Sequence, residues 1–201
     1  MQKDHLTEKG LLKIVSLKSS LNWGISDKLF KAFPNAVLVN KQDYTFKGIP
    51  DPFWVADFTS GDGSFHLKIK TLEMQRGCRI ALVYSINLNI RDKEVIKGLA
   101  TFFNFDVTKV SKTLTVSKTE VKYKHIYISK DKVCIHITKI SDIVNTIIPF
   151  FEKYLIVGIK SLDFADFKQV ADMVKSKEHL TPEGLQKILK IKSNMNQNRS
   201  Y

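Results

Sequence analysis

The chain has 201 residues, 43% of them hydrophobic, which suffices to bury one core with an appended segment. A net charge of +12 and a pI near 9.6 fit a polyanionic partner, and a Lys-rich total with no long amphipathic basic helix favours nucleic acid over a lipid surface. No apolar run is long enough to span a membrane, Cys78 and Cys134 read as free thiols of a reducing compartment rather than a zinc knuckle, and the five histidines show no metal spacing. The N-terminus, Met-Gln-Lys-Asp-His, has neither a signal-peptide core nor an Arg-rich transit pattern.

The first element is one copy of a repeat. His5-Leu6-Thr7 to Asn22 aligns with His179-Leu180-Thr181 to Asn196, 174 residues later, with His, Leu, Thr, Gly, Leu, Lys, Ile, Lys, Ser and Asn identical. Each copy opens on a capping Thr, and Pro182 in the second occupies the first helical position, where its missing N–H is harmless. Leu11, Ile14, Leu17 and Leu21 recur at helical spacing, as do Leu185, Ile188, Ile191 and Met195. One copy ends the chain, so the other is expected to end a preceding, homologous unit. A short helix over Ser26 to Phe33 and an extended crossing with Pro34-Asn35, Gly48, Pro50 and Pro52 follow.

Next comes Trp54-Val-Ala-Asp-Phe-Thr-Ser-Gly-Asp-Gly-Ser-Phe65, an apolar helical run that ends on Asp62 and opens directly into a strand. A carboxylate in the last turn of a helix faces the negative end of the macrodipole, so stability alone does not place Asp there. Two readings of the residues stand side by side: Asp62 holds a divalent cation, or it forms an Asx turn, with Gly63 as the C-terminal cap in either case. The stretch resembles the LAGLIDADG motif of the homing endonucleases, Val55 to Gly63 filling its nine positions in order. The resemblance makes Asp62 the metal-binding acid, with Gly61 beside it. It also implies that Val55, Ala56, Asp57, Phe58 and Thr59 form the face that meets a second motif helix. Asp57 stands where the family has Gly.

From Ser64 onward periodicity supports strands and then a helix. Phe65, Leu67 and Ile69 oppose Ser64, His66, Lys68 and Lys70; Ile80, Leu82, Tyr84, Ile86 and Leu88 oppose Arg79, Ser85, Asn87 and Asn89. Asp92 is expected to cap a helix carrying Val95, Ile96, Leu99 and Phe103. Further strands fall around Val107 to Val116, Val121 to Ser129 and Lys132 to Thr138, more than the family core needs, which reads as an insertion or a long hairpin. Ser141-Asp142 starts another helix, Leu162 to Lys175 another, and the repeat closes the chain.

The resemblance therefore implies an α+β fold, αββαββα, with helices packed on one face of a curved antiparallel sheet. It divides the chain into residues 1–33, the helical tail of a preceding half, a linker over 34–52, and a LAGLIDADG domain over 53–201. The other face of the sheet would enter the major groove of double-stranded DNA, presenting Ser64, His66, Lys68, Lys70, Arg79, Ser85, Asn87, Asn89, Lys132 and His136. Lys109, Lys112, Lys118, Lys122, Lys124 and Lys130 are left to phosphates or solvent. The run Ile148-Pro149-Phe150 to Gly158-Ile159-Lys160 resembles the family segment whose lysine enters the cleavage site, making Lys160 catalytic alongside Asp62. The implied activity is Mg²⁺-dependent, site-specific DNA cleavage by an intron-encoded mitochondrial enzyme, with two acids, one from each of two motif helices. The second comes from a homodimer or a second LAGLIDADG half. Asp57, and Leu88 at a position where relatives often carry Gln, point instead to binding without cleavage or to a maturase acting on intron RNA.

Overall fold

The computed structural model describes residues 3–21, 24–40, 45–71, 78–105, 121–122 and 125–199. It divides into two compact units, Met1–Thr45 and Phe46–Tyr201, the boundary falling within the expected linker.

In the first unit, α1 (Glu8–Lys18) is preceded by a 3-10 turn over Asp4–Leu6, and α2 (Asp27–Ala32) follows. The Thr7 hydroxyl accepts from the Gly10 N–H at 3.0 Å, and the Ser26 hydroxyl caps α2 through the Leu29 N–H. The apolar stripe of α1 is exposed: Leu11 by 38%, Ile14 by 48%, Leu17 by 51% and Leu21 by 57%. The final helix, α8 (Pro182–Ser193), repeats the preceding 3-10 turn, Glu178–Leu180, and the Thr181 cap on Gly184 at 3.0 Å. There the stripe is used, with Ile188 fully buried and Met195 nearly so.

The second unit runs α3 (Pro52–Asp62), β1 (Gly63–Thr71), β2 (Cys78–Asn89), α4 (Lys93–Phe102), β3 (Val121–Lys122), β4 (Ile126–Ile128) and β5 (Lys132–Ile137) before its C-terminal helices. All pairings are antiparallel and the sheet order is β1-β2-β5-β4-β3. Without β3, this is the expected helix, two strands, helix, two strands, helix plan. The two-residue β3 is the described part of the surplus strand; Val107 to Val116 lie outside the described residues.

Alternation holds along β1 and β5, because one face of the sheet packs on the core helices. Phe65 on the inner face meets Tyr84, Phe151, Phe164 and Phe167 with ring centroids 5.2–5.5 Å apart. Around them Ile86, Ile96, Leu99, Ile135, Ile137, Ile143 and Ile147 are fully buried. Fully burying each such side chain contributes about 1.5–3 kcal/mol.

The helix after β5 is not regular. α5 (Ile140–Asp142) passes into a π turn over Ile143–Ile147 and then α6 (Ile148–Lys153). Pro149 sits in the first turn of α6 and has no N–H to give to the preceding turn, a demand that a wide π turn accommodates better than an α ladder. α7 (Lys160–Lys175) follows, starting two residues before its expected position.

Two details differ from expectation. Gly63 is not a left-handed cap: at φ −73° and ψ 161° it is already strand. Its small size is needed for a different reason, since a Cβ there would lie 2.5 Å from Thr59 Cγ2 and 2.6 Å from the Thr59 carbonyl oxygen. Asp92 precedes α4 but makes no side-chain cap bond; Asn89 instead caps a 3-10 turn over Ile90–Asp92 by accepting from the Arg91 N–H at 3.1 Å.

Candidate nuclease site

Helix α3 starts firmly and ends open. The Asp51 carboxylate accepts from the Trp54 N–H at 3.0 Å, Pro52 occupies the first turn, and Trp54 stacks on Phe58 one turn along at 4.8 Å. Val55, Ala56 and Thr59 point into the core, all at most 2% exposed. This corrects the expected partner face: those three residues are committed to their own domain. The exposed side carries Phe53, Asp57, Gly61 and Asp62, with Phe58 half-buried. A helix apolar on both sides has two faces to cover.

The segment after α6 runs beside α3 and is tied to it three times. Phe53 meets the Tyr154 ring edge-on at 5.1 Å, the Ser60 hydroxyl accepts from the Val157 N–H at 3.0 Å, and Lys160 Nζ donates to the carbonyls of Thr59 at 3.2 Å and Gly61 at 2.8 Å. Between these ties Leu155, Val157 and Ile159 are exposed by 69%, 58% and 41%, while Ile156 is buried. With Phe53 they make an apolar surface that reading the sequence missed. The available signal was the run Leu-Ile-Val-Gly-Ile, apolar at both alternating sets of positions.

Lys160 thus closes the C-terminal end of α3, where unpaired carbonyls concentrate negative charge. Partial burial pushes its ammonium below the ordinary lysine range, and the carboxylates of Asp62 and Asp163 pull it back up. Asp62 is exposed beside it. The exposed carboxylate of Asp62 and the Gly61 carbonyl are hard oxygen donors of the kind Mg²⁺ takes. Among the described residues no group of three or more His, Cys, Asp or Glu could by itself hold a metal ion.

On the outer face of the sheet the registers set the polar residues in rows. Ser64, Ser85 and His136 lie abreast across β1, β2 and β5; Asn87, Cys134 and Tyr127 lie abreast across β2, β5 and β4, with Lys70 beside Arg79 and Asn89 beside Lys132. Lys68, Lys70, Arg79, Asn87, Asn89 and Lys132 are exposed, and Ser64, His66 and His136 half-buried. Ser85 departs from expectation: hemmed in on both sides in a central strand, it is only 5% exposed. The His66 and His136 rings stack at 6.3 Å with 20° between planes, and Ser64 Oγ lies 3.4 Å from His66 Nδ1. Burial, then the Lys68 charge and His136, push His66 down to about 4; burial and Lys68 lower His136 as well. Both rings are neutral at pH 7, so each offers one donor and one acceptor. Leu88 packs on the core side. Lys130 is exposed, while Lys109, Lys112, Lys118, Lys124 and the side chain of Lys122 lie outside the described residues.

The family model for LAGLIDADG endonuclease matches residues 55–171. The chain is 34% identical, over 206 aligned positions, to "Probable intron-encoded endonuclease 2" of Neurospora crassa, covering 97% of this chain and 40% of that protein. Among solved structures it resembles the LAGLIDADG meganuclease I-CpaMI bound to uncleaved DNA, with TM-score 0.83 and 43% identity over 97% of this chain and 62% of that one. The I-SmaMI LAGLIDADG homing endonuclease bound to cleaved DNA gives TM-score 0.80 and 38% identity, over 98% and 61%. The chain therefore spans less than two thirds of the length of each.

Proposed function

The chain belongs to the LAGLIDADG endonuclease family, and from that membership we propose that it is the C-terminal half of a two-motif, Mg²⁺-dependent, site-specific DNA endonuclease encoded in a mitochondrial intron. The observation that carries this reading is the end of α3: an exposed Asp62, the Gly61 carbonyl, and Lys160 Nζ 2.8 Å from that carbonyl. Asp62 and Gly61 would hold one side of the metal site, which supplies Lewis acidity and an activated water when filled. Lys160 would stabilise charge on the phosphate being cut. The outer sheet face would lie in the major groove, where Lys68, Lys70, Arg79 and Lys132 donate to guanine and Asn87 pairs with adenine.

A second half is favoured over a homodimer by two features. Self-pairing of α3 would bring two exposed Asp57 carboxylates together, a repulsive arrangement. The stripe of α1 is exposed where its counterpart in α8 is buried, as expected for a helix that closes a preceding unit of the same fold. Asp57 also supports a second reading, in which the chain binds DNA or intron RNA as a maturase without cutting.

The test is cleavage of target DNA by the chain joined to a second LAGLIDADG half, with and without Mg²⁺. Asp62→Asn is expected to abolish cutting of one strand while DNA affinity is kept. Cutting of both strands by the Asp62→Asn enzyme would refute the assignment, and tight binding without any cutting by the unmutated enzyme would favour the maturase reading.

A further inference from the structure

The two elements that build the site are α3 running into β1, which present Asp62, and α7, whose first residue is Lys160. α7 has no side-chain cap: Ile159 precedes it and its opening N–H groups are left without a local acceptor side chain. Its first turn is fixed instead from the far end of the sequence. Asp163, in that turn and only 6% exposed, accepts from the Asn196 N–H at 2.9 Å and from Arg199 through Nη2 at 2.9 Å and Nε at 3.3 Å. Arg199 Nη2 also donates to Asp166 at 2.6 Å. Asn196 turns the other way as well, its Nδ2 donating 3.1 Å to the carbonyl of Phe65 on β1, three residues past Asp62. To do both it adopts φ +58°, a left-handed conformation that Asn tolerates better than most residues.

We propose that Asn196, Arg199 and Asp163 form a clasp that positions Lys160 against the end of α3, making them positioning residues for the cleavage site. The clasp joins β1 just after the acid to α7 just after the lysine. A buried carboxylate receiving three N–H bonds, two of them from a guanidinium, is a rigid joint with little rotamer freedom left in it. Fixing Asp163 fixes the helical turn that starts at Lys160. The clasp thus does for α7 what a capping side chain does for other helices, but from a segment whose other hand grips the strand carrying Asp62. This rests on the proposed role of Lys160 in cleavage, whereas the clasp itself is testable without cleavage.

The experiment follows the Lys160 ammonium by ¹H–¹⁵N spectroscopy of the whole chain, assigned with Lys160→Arg. A lysine held by two carbonyls exchanges its protons slowly enough to be observed; a released one does not. Arg199→Ala and Asp163→Asn are expected to lose this resonance while the amides of the sheet stay in place. Arg199→Lys, which keeps one charge-assisted bond, is expected to retain part of it. Asn196→Gly leaves Asp163 paired and allows the same backbone angle, so it tests the grip on β1 even where the other variants fold poorly; it too is expected to weaken the signal. In the joined two-half enzyme, Arg199→Ala is expected to slow single-turnover cutting at saturating DNA by about 10-fold or more with unchanged affinity. A Lys160 resonance that persists in Arg199→Ala and Asn196→Gly would overturn the proposal, reducing the clasp to an anchor for the tail. A resonance lost as expected, in an enzyme that never cuts DNA, would leave the clasp standing and count against the endonuclease reading instead.

Discussion

Replacing Gly63 with alanine is a sharp test of how the motif helix is joined to its strand. The backbone at Gly63 suits alanine, since φ −73° and ψ 161° lie in the ordinary extended region, so no dihedral strain is introduced. The new methyl would nevertheless sit 2.5 Å from Thr59 Cγ2, 2.6 Å from the Thr59 carbonyl oxygen and 3.0 Å from its Cα. Two of those atoms are backbone, in a turn whose Thr59 hydroxyl is bonded to Tyr84 at 2.9 Å inside the core, so rotating a side chain cannot relieve the clash. Overpacking of this kind costs about 1–3 kcal/mol, and the immovable neighbours put Gly63→Ala near about 3. For a domain of this size that lowers the melting temperature by roughly 6–12 °C. Gly158→Ala is the control: there φ is +70° but nothing lies within 4 Å, so only the left-handed backbone is penalised, by about 1–2 kcal/mol. Thermal and urea unfolding of the three proteins measures the difference. A Gly63→Ala protein that melts within roughly 2 °C of the parent, or above Gly158→Ala, would refute the steric argument.

Two further expectations concern the core and the outer face. Tyr84→Phe strands the buried Thr59 hydroxyl and is expected to cost about 1–3 kcal/mol, whereas Tyr84→Phe with Thr59→Val costs less than the two single changes summed, measured as a double-mutant cycle of urea unfolding. His66 has its folded-state pKa lowered to about 4 from 6.5, so the unfolded chain takes up this proton first: its contribution is fully present above about pH 6.5 and is lost as pH falls toward 4. His66→Gln is therefore expected to flatten the fall of melting temperature between those pH values, and an unchanged slope would show that the ring is not shielded as described.

Much of this was legible in the sequence because it is local. Caps at Thr7 and Thr181, alternation along β1, and an acid ending an apolar helix are patterns a few residues long, and each appears where expected. The repeat was legible too, because its ten identical positions can be laid side by side from His5 and His179 without any structure at all. What failed was assignment that depends on distant neighbours. On α3, apolar on two sides, periodicity had no means of telling Val55, Ala56 and Thr59, which face inward, from Phe53 and Asp57, which do not. Ser85 shares its face with Asn87 but is covered because Ser64 and His136 flank it, a fact of register rather than of composition. Gly63 reads as a helix C-terminal cap and is a point of close approach. Asp163 and Arg199 are separated by 36 residues, and nothing in either's surroundings marks them as partners.

The π turn over Ile143–Ile147 has a consequence for how related sequences line up. A helix advances about 100° per residue, and the wide turn holds one residue more than an α ladder would. Ile143 and Ile147 before the join and Ile148 and Phe151 after it all reach the core on that account. Dropping a single residue between them would wind the turn into plain helix and swing everything downstream by about 100°, taking Phe151 out of the core and carrying Tyr154 to Lys160 away from α3. Insertions and deletions between β5 and Lys160 are therefore expected to be rare, so that an alignment gap placed there is a mark of misalignment or of a relative whose lysine has left the site.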